Sequence, residues 1–261
     1  MKGTSFAKRF AWEIWLPIVL LVVWYFVSER FNSFYFPPLS EILSASAQIW
    51  IWQGTIDDVV PSVVRLVSGF IIGTIAGIVV GVALGLWRAA EDAVRPVLEF
   101  LRAVPGVALL PLVILFLGVG DSMKIVMIAI VSFWPVLLNT IDAVRSVEPV
   151  QLQVSRSFHI GGFDRLAFIL LPSSAPQVFA GARTALATSV IAMVFTEMVG
   201  SPGGIGYFIL NAQRRFDTVD MWSGILVLGI VGYLLNNLFR LVEMKVLRWH
   251  HQMTSRAQTG A

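Results

Sequence analysis

Apolar residues fall in six long runs along this chain, at about residues 10–28, 59–87, 95–119, 123–144, 174–199 and 221–243, with short polar stretches between them. Each run is close to the roughly 20 residues that one helix needs to cross the hydrocarbon core of a bilayer. One helix per run predicts an all-α membrane protein with six transmembrane helices. The second run carries Gly69, Gly73, Gly77, Gly81 and Gly85, one every four residues. Positions four apart advance about 40° around a helix, so the five form a slowly winding groove without side chains. In lipid such a groove lets another backbone approach closely and predicts a helix-packing seam. Pro105, Pro111 and Pro135 interrupt the third and fourth runs, where each removes a backbone donor and is expected to kink its helix.

The polar stretches are informative in turn. Between the first two runs, Pro37-Pro38 ends one segment and Ser40 can cap a short helix. Leu39, Ile42, Leu43, Ile49 and Trp50 recur at near-helical spacing, which predicts a helix lying in the membrane interface, with an irregular loop as the alternative. The longest polar stretch covers 145–173 and holds Arg145, Glu148, Arg156, His159, Asp164, Arg165 and Leu171-Pro172. A stretch of this length is rarely a mere connector.

Composition agrees with lipid as the main solvent. The chain is 57% hydrophobic and 13% charged, against about 25% charged in soluble domains. It has no cysteine, which excludes a disulfide framework, a thiolate metal site and a cysteine nucleophile. Its basic residues are scattered among apolar runs instead of forming a face, which argues against nucleic acid. Lys2, Lys8 and Arg9 precede the first run, but Ser28-Glu29-Arg30-Phe31 offers no small-residue cleavage site, so an uncleaved anchor is expected, with Phe10 to Trp12 and Phe26 at the interfaces. With the N-terminus inside, thirteen Lys and Arg fall on inner segments and five on outer ones (Arg30, Arg65, Lys124, Arg214, Arg215), Arg183 being ambiguous. The positive-inside rule then puts both termini and the 145–173 stretch in the cytoplasm. The expected division is a tail at 1–9, a membrane-spanning body at 10–249 and a tail at 250–261.

Four charges fall within or beside the third and fifth runs: Glu99, Arg102, Arg183 and Glu197. Such groups usually face protein or water with a partner. Glu99 and Arg102, three apart, suit a local ion pair or a gating role. Arg183 and Glu197 are expected to snorkel to opposite boundaries. Asp57-Asp58 and Glu91-Asp92 read as solvated caps. No catalytic constellation is present: there is no nucleophile elbow, no metalloprotease helix and no phosphate-binding Gly-Lys-Ser/Thr loop. His250-His251 lacks companions at metal-ligand spacing, so no metal site is expected.

Several motifs carry a resemblance. Phe36-Pro37-Pro38 precedes the interfacial helix, and Ser62-Val63-Val64-Arg65 precedes the glycine groove. Glu99-Phe100-Leu101-Arg102-Ala103-Val104-Pro105, Leu110-Pro111-Leu112, Phe116-Leu117-Gly118-Val119-Gly120 with Lys124, Glu197 and Gly204-Ile205-Gly206 follow. In these the chain resembles the membrane-spanning permease of binding-protein-dependent ABC importers, most of all the branch handling nitrate, aliphatic sulfonates and taurine. The resemblance implies a type I importer permease bundle with a cytoplasmic coupling helix in 145–173. Counting back from Leu171-Pro172, Gln153 stands at the family's glutamate, Val154 and Ser155 at its alanines, Arg156-Ser157-Phe158 follows the branch pattern, and His159 stands at its glycine, while Gly162 and Gly181-Ala182-Arg183 match.

Two departures matter. Gln153 loses the charge that would strengthen a contact with a partner arginine. His159 takes positive φ less readily than glycine, so Gly161-Gly162 is expected to absorb part of the turn. Phe158, Phe163, Phe168 and Leu171 are expected to anchor the loop by packing. The partners implied are cytoplasmic ATPase subunits that bind the ATP, an extracytoplasmic solute-binding protein, and a second permease copy, most simply a homodimer in a bacterial inner membrane. No cofactor is implied on this chain. The solute implied is a small anion like a sulfonate, nitrate or taurine, with a vitamin precursor or a flavin left open. The alternative is a secondary, ion-coupled transporter, which would show paired interrupted spans and midplane carboxylates.

Overall fold

The computed structural model describes residues 6–31 and 33–248. The 249–261 tail with His250-His251, residues 1–5, and the side chains of Phe10 to Trp12 lie outside the described part. Among the described residues the chain is helical throughout and has no strand, only an isolated bridge between Ser33 and Phe36. The helices are α1 (Phe6–Phe31), α2 (Leu39–Trp50), α3 (Val60–Leu86), α4 (Arg88–Ala103), α5 (Leu110–Leu117), α6 (Asp121–Arg145), α7 (Pro149–Ser157), α8 (Gly162–Arg165), α9 (Leu171–Met198), α10 (Ile205–Arg214) and α11 (Thr218–Val246).

Four stretches are long and apolar enough to cross a membrane: Thr55–Leu86, Asp121–Arg145, Gly162–Met198 and Thr218–Val246. α1 covers the first expected run. The third run differs from expectation. It is no single rod, because Arg88–Ala103 and Gly106–Leu117 meet at 87°. The break falls at Val104-Pro105, where proline disfavours a helical predecessor and the chain turns extended. Pro111 stands at the start of α5, where a missing N–H costs nothing. α6 runs unbroken past Pro135, whose carbonyl accepts a hydrogen bond from Asn139 Nδ2 at 2.8 Å.

The fifth span also departs from its expected start at 174. Helix continues back to Gly162, so the stretch is 37 residues long, or about 55 Å at 1.5 Å per residue. That exceeds the hydrocarbon thickness by far, and one end must stand in water. A π turn at Leu166–Leu170 joins α8 to α9, and another at Thr55–Val59 leads into α3. Each precedes a proline, Pro172 and Pro61. Proline lacks the N–H and its ring crowds the carbonyl four residues back, so the ladder widens by one residue there instead of breaking.

α3, α6 and α9 form the centre. Leu66, Ile128, Leu186, Ala192 and Met193 are buried between them. The glycine groove lies against a matching row on α6. A Cβ on Gly69 would sit 2.7 Å from Ile128 Cβ, on Gly77 2.9 Å from Val136 Cβ, on Gly81 2.6 Å from Thr140 Cβ and on Gly85 2.8 Å from Val144 Cβ; on Gly73 it would overlap Ser132 Oγ. The facing residues 128, 132, 136, 140 and 144 also recur every four positions, so two straight ridges mesh along five turns. α2 docks on α11 through Trp50, whose Nε1 donates to Ser223 Oγ at 3.2 Å. α11 exposes Ile230, Leu234, Leu238, Leu241 and Val242, an apolar face suited to lipid.

Candidate functional site

Two regions carry polar residues in unusual settings, one at each end of the central helices. At the first end, the starts of α3 and α6 and the finish of α9 bring together Ser62, Arg65, Asp121, Lys124, Glu197 and Ser201. Glu197 has no exposed surface. Its Oε1 accepts from Ser62 Oγ at 2.6 Å and Arg65 Nη1 at 3.0 Å, and its Oε2 from the Gly206 amide at 3.0 Å. Arg65 Nε lies 2.8 Å from Asp121 Oδ1. Lys124, 1% exposed, donates to Ser201 Oγ at 2.7 Å and to Asp121 Oδ1 at 3.3 Å. Two cations thus meet two carboxylates, and each buried charge is paired. Glu197 therefore does not snorkel to a boundary. The donors around it satisfy its charge inside the protein.

The loop after α9 is stapled into this knot. Asp58 Oδ1 accepts from the Gly204 amide at 2.6 Å, so it is no solvated cap. Ser62 Oγ accepts from the Ile205 amide at 3.0 Å, and Arg65 Nη1 donates to the Gly203 carbonyl at 3.3 Å. Gly204 has φ +123°, and a Cβ there would lie 2.5 Å from Glu197 Oε1. Both facts require glycine. Sequence reading had placed Arg65, Lys124 and Glu197 at one boundary without joining them. The usable signal was their common depth, near the starts of two spans and the end of a third.

At the opposite end α6 leads through Arg145 into a hairpin, α7 followed by α8. Arg145 Nη1 lies 2.8 Å from Glu91 Oε2, so Glu91 is a buried partner to α6 and not a solvated cap. α7 carries Gln153, Val154, Ser155, Arg156 and Ser157. Ser155 is fully buried and bonds back to the Leu152 carbonyl at 2.8 Å, while Gln153 and Ser157 face outward. Gln151 Oε1 accepts from Ser173 Oγ at 3.1 Å and ties α7 to α9. Leu171 and Pro172 open α9.

His159 takes the left-handed conformation itself, φ +53°. The Ile160 amide bonds to the Ser155 carbonyl at 3.0 Å, the six-to-one closure of a Schellman cap with His159 where glycine usually stands. Gly161 has φ −60°, ψ 165°, open to any residue, and Gly162 starts α8. Neither glycine absorbs the turn, contrary to expectation. The aromatic anchors differ as well: Phe158, Phe163 and Phe168 are 76%, 79% and 77% exposed, and Leu171 is also exposed. They form an outward apolar face beside a hollow of about 350 Å³ between α7 and α9, lined by Val150, Val154 and Ile160 among others.

The remaining charges pair differently from the sequence reading. Glu99 accepts from Arg95 Nε at 3.1 Å, one turn back, and leaves Arg102 outside that pair. All three are exposed on α4. Arg183 pairs with Glu243 of α11.

Residues 69–248 match the family described as the binding-protein-dependent transport system inner membrane component. The chain belongs to that family. This permease is 28% identical over 248 residues to a protein of Bacillus subtilis (strain 168) named for aliphatic sulfonates transport, SsuC, covering 94% of this chain and 90% of that one. It is 28% identical to the taurine transport system permease protein TauC of Escherichia coli (strain K12), covering 90% and 88%. It is 32% identical to the riboflavin transport system permease protein RibX of Chloroflexus aurantiacus, covering 93% and 92%. A chain from the inward-facing MetNI methionine ABC transporter superposes with a TM-score of 0.58 at 20% identity, covering 76% of the permease and 96% of that chain. That likeness is one of fold, the type I importer permease bundle. The permease is thus the inner-membrane transport subunit of an ABC importer, and nothing supports the secondary-transporter alternative.

Proposed function

We propose that two copies of this permease form the membrane path for a small organic anion of the sulfonate and taurine kind. The solute is handed over by an extracytoplasmic binding protein at the Arg65 end. A separate cytoplasmic ATPase grips the α7–α8 hairpin. The observation that carries the ATPase half is the exposure of Phe158, Phe163 and Phe168, apolar surface at the end of the central helices opposite Arg65. Exposed apolar patches of this kind mark protein contact. The lysine and arginine distribution supports a cytoplasmic hairpin and cytoplasmic termini. The exposure of α4 with its charges Arg95, Glu99 and Arg102 supports a second copy covering that helix. Relatives named for sulfonates and taurine support the solute class. A flavin is the second reading, favoured by the similarity to RibX.

Because the chain has no cysteine, a Ser157→Cys reporter is free of background. It is expected to resist impermeant maleimide added to intact cells and to react after permeabilisation; labelling in intact cells would reverse the orientation. Proteoliposomes holding the permease with its ATPase and binding protein are expected to take up taurine or ethanesulfonate only with internal ATP. Uptake of riboflavin but neither sulfonate would select the second reading.

A further inference from the structure

Three arginines at the extracytoplasmic end are candidates to meet an anion, and the structure separates them. Arg65 is committed to Glu197 and Asp121. Arg215 Nη2 lies 3.8 Å from Asp220 Oδ2. Among the described residues Arg214 makes no ion pair. Resting on the anion reading above, we propose that Arg214, with Asn211 and Tyr207, forms a subsite that receives the anionic head of the solute at the mouth of the path.

α10 is amphipathic in a way that builds this site. Ile205, Gly206, Ile209 and Ala212 are its buried face. Tyr207, Leu210, Asn211 and Arg214 recur at helical spacing on the other face. That second face lines a hollow of about 430 Å³ with Met198, Ser201 and their neighbours, a size suited to a small molecule. The lining holds one cation and no carboxylate. A guanidinium and an amide supply N–H groups in the planar arrangement that oxyanions accept, and the phenol adds an O–H. Met198 and Leu210 supply apolar surface for a short carbon chain.

The position gives the site a way to be sensed. Ser201 lines the hollow and also accepts from buried Lys124 at 2.7 Å, so a ligand lies one residue from the knot that ties α3, α6 and α9 together. The contact of the hollow with the knot is what an isolated surface arginine would lack.

Calorimetric titration of the nanodisc-embedded permease–ATPase complex with ethanesulfonate, without binding protein, tests this. Arg214→Gln and Asn211→Leu are expected to weaken binding about tenfold or more, a loss of at least about 1.4 kcal/mol. Arg215→Gln is expected to leave it unchanged, and ethyl methyl sulfone, an uncharged analogue, to bind poorly. Thermal unfolding of Arg214→Gln should match the wild type, because Arg214 is exposed. Wild-type binding that none of the variants changes would overturn the subsite while leaving the solute class standing. Failure of the wild type to bind any sulfonate, with riboflavin bound, would overturn the solute class and the subsite with it. Unchanged ethanesulfonate binding by Arg214→Gln, with loss of binding-protein-stimulated ATPase activity, would reassign Arg214 to receptor docking and overturn the subsite.

Discussion

A carboxylate without exposed surface survives in a membrane bundle only where donors meet its charge at close range. Glu197 has three donors on two oxygens. Removing its cationic partner should therefore cost more than any interaction at the surface. Arg65→Met leaves Glu197 buried without its countercharge, and a loss of about 3–5 kcal/mol is expected. The Arg95–Glu99 pair of α4 is exposed on both sides, and Glu99→Gln should shift stability far less. Thermal denaturation of the purified permease in one detergent compares the two. Equal shifts would mean that Glu197 draws its stability from elsewhere. His159 makes the opposite case, a residue holding a conformation that suits it poorly. A left-handed non-glycine residue costs about 1–2 kcal/mol, so His159→Gly should slow amide hydrogen exchange in α7. Gly161→Ala should leave exchange unchanged, since its φ of −60° suits alanine.

Helix packing sets the tolerances of each element. On α3 the five groove glycines face residues of α6 at distances where no Cβ fits. Enlarging one forces the two most closely packed spans apart, and over-packing already costs about 1–3 kcal/mol per site where backbone can yield. Here the obstacles include the carbonyls of Ile125, Ala129 and Phe133, which yield little. Gly77→Leu should abolish the monodisperse permease peak on size-exclusion chromatography. Gly232→Leu, with nothing within 4 Å of its Cβ position, should elute as the wild type does. The glycine rule therefore follows close helix contact, which Gly181 of α9 shares with a Cβ position 2.6 Å from Asn139 Cβ, and not glycine in membrane helices at large. The two π turns follow the same logic: Pro61 and Pro172 are accommodated by widening the helix just before them, so both long helices continue through a proline.

At the scale of the molecule, the hairpin presents the apolar surface that the proposed ATPase would cover. Phe158, Phe163 and Phe168 are more than three-quarters exposed, so replacing all three with alanine should leave the thermal midpoint of the isolated permease unchanged. The same variant should lose its ATPase on affinity purification. A drop in the midpoint with the ATPase retained would make these residues part of the fold. Four of the apolar runs, which the described helices carry as stretches long and apolar enough to cross a membrane, the glycine groove and the polar hairpin were legible in the chain, because each depends on local periodicity. The bend at Pro105 was half legible: proline announced a disturbance, but its 87° size depends on how α4 and α5 sit against the rest. The pairs Arg65–Glu197, Arg145–Glu91 and Arg183–Glu243 were not legible. Their members are separated by 132, 54 and 60 positions, and the partners come from different helices.

Hydrophobic periodicity reports the face a side chain occupies on its own helix, and composition reports the solvent around it. From these alone follow the all-helical membrane class and the groove on α3. Neither reports how far each helix is rotated and slid against its neighbours. That relative placement, set by glycines meeting a matching ridge, brings Arg65, Lys124 and Glu197 to one depth. It also leaves Arg214 without an ion pair among the described residues, beside a hollow, because charges attract according to distance in space and not along the chain.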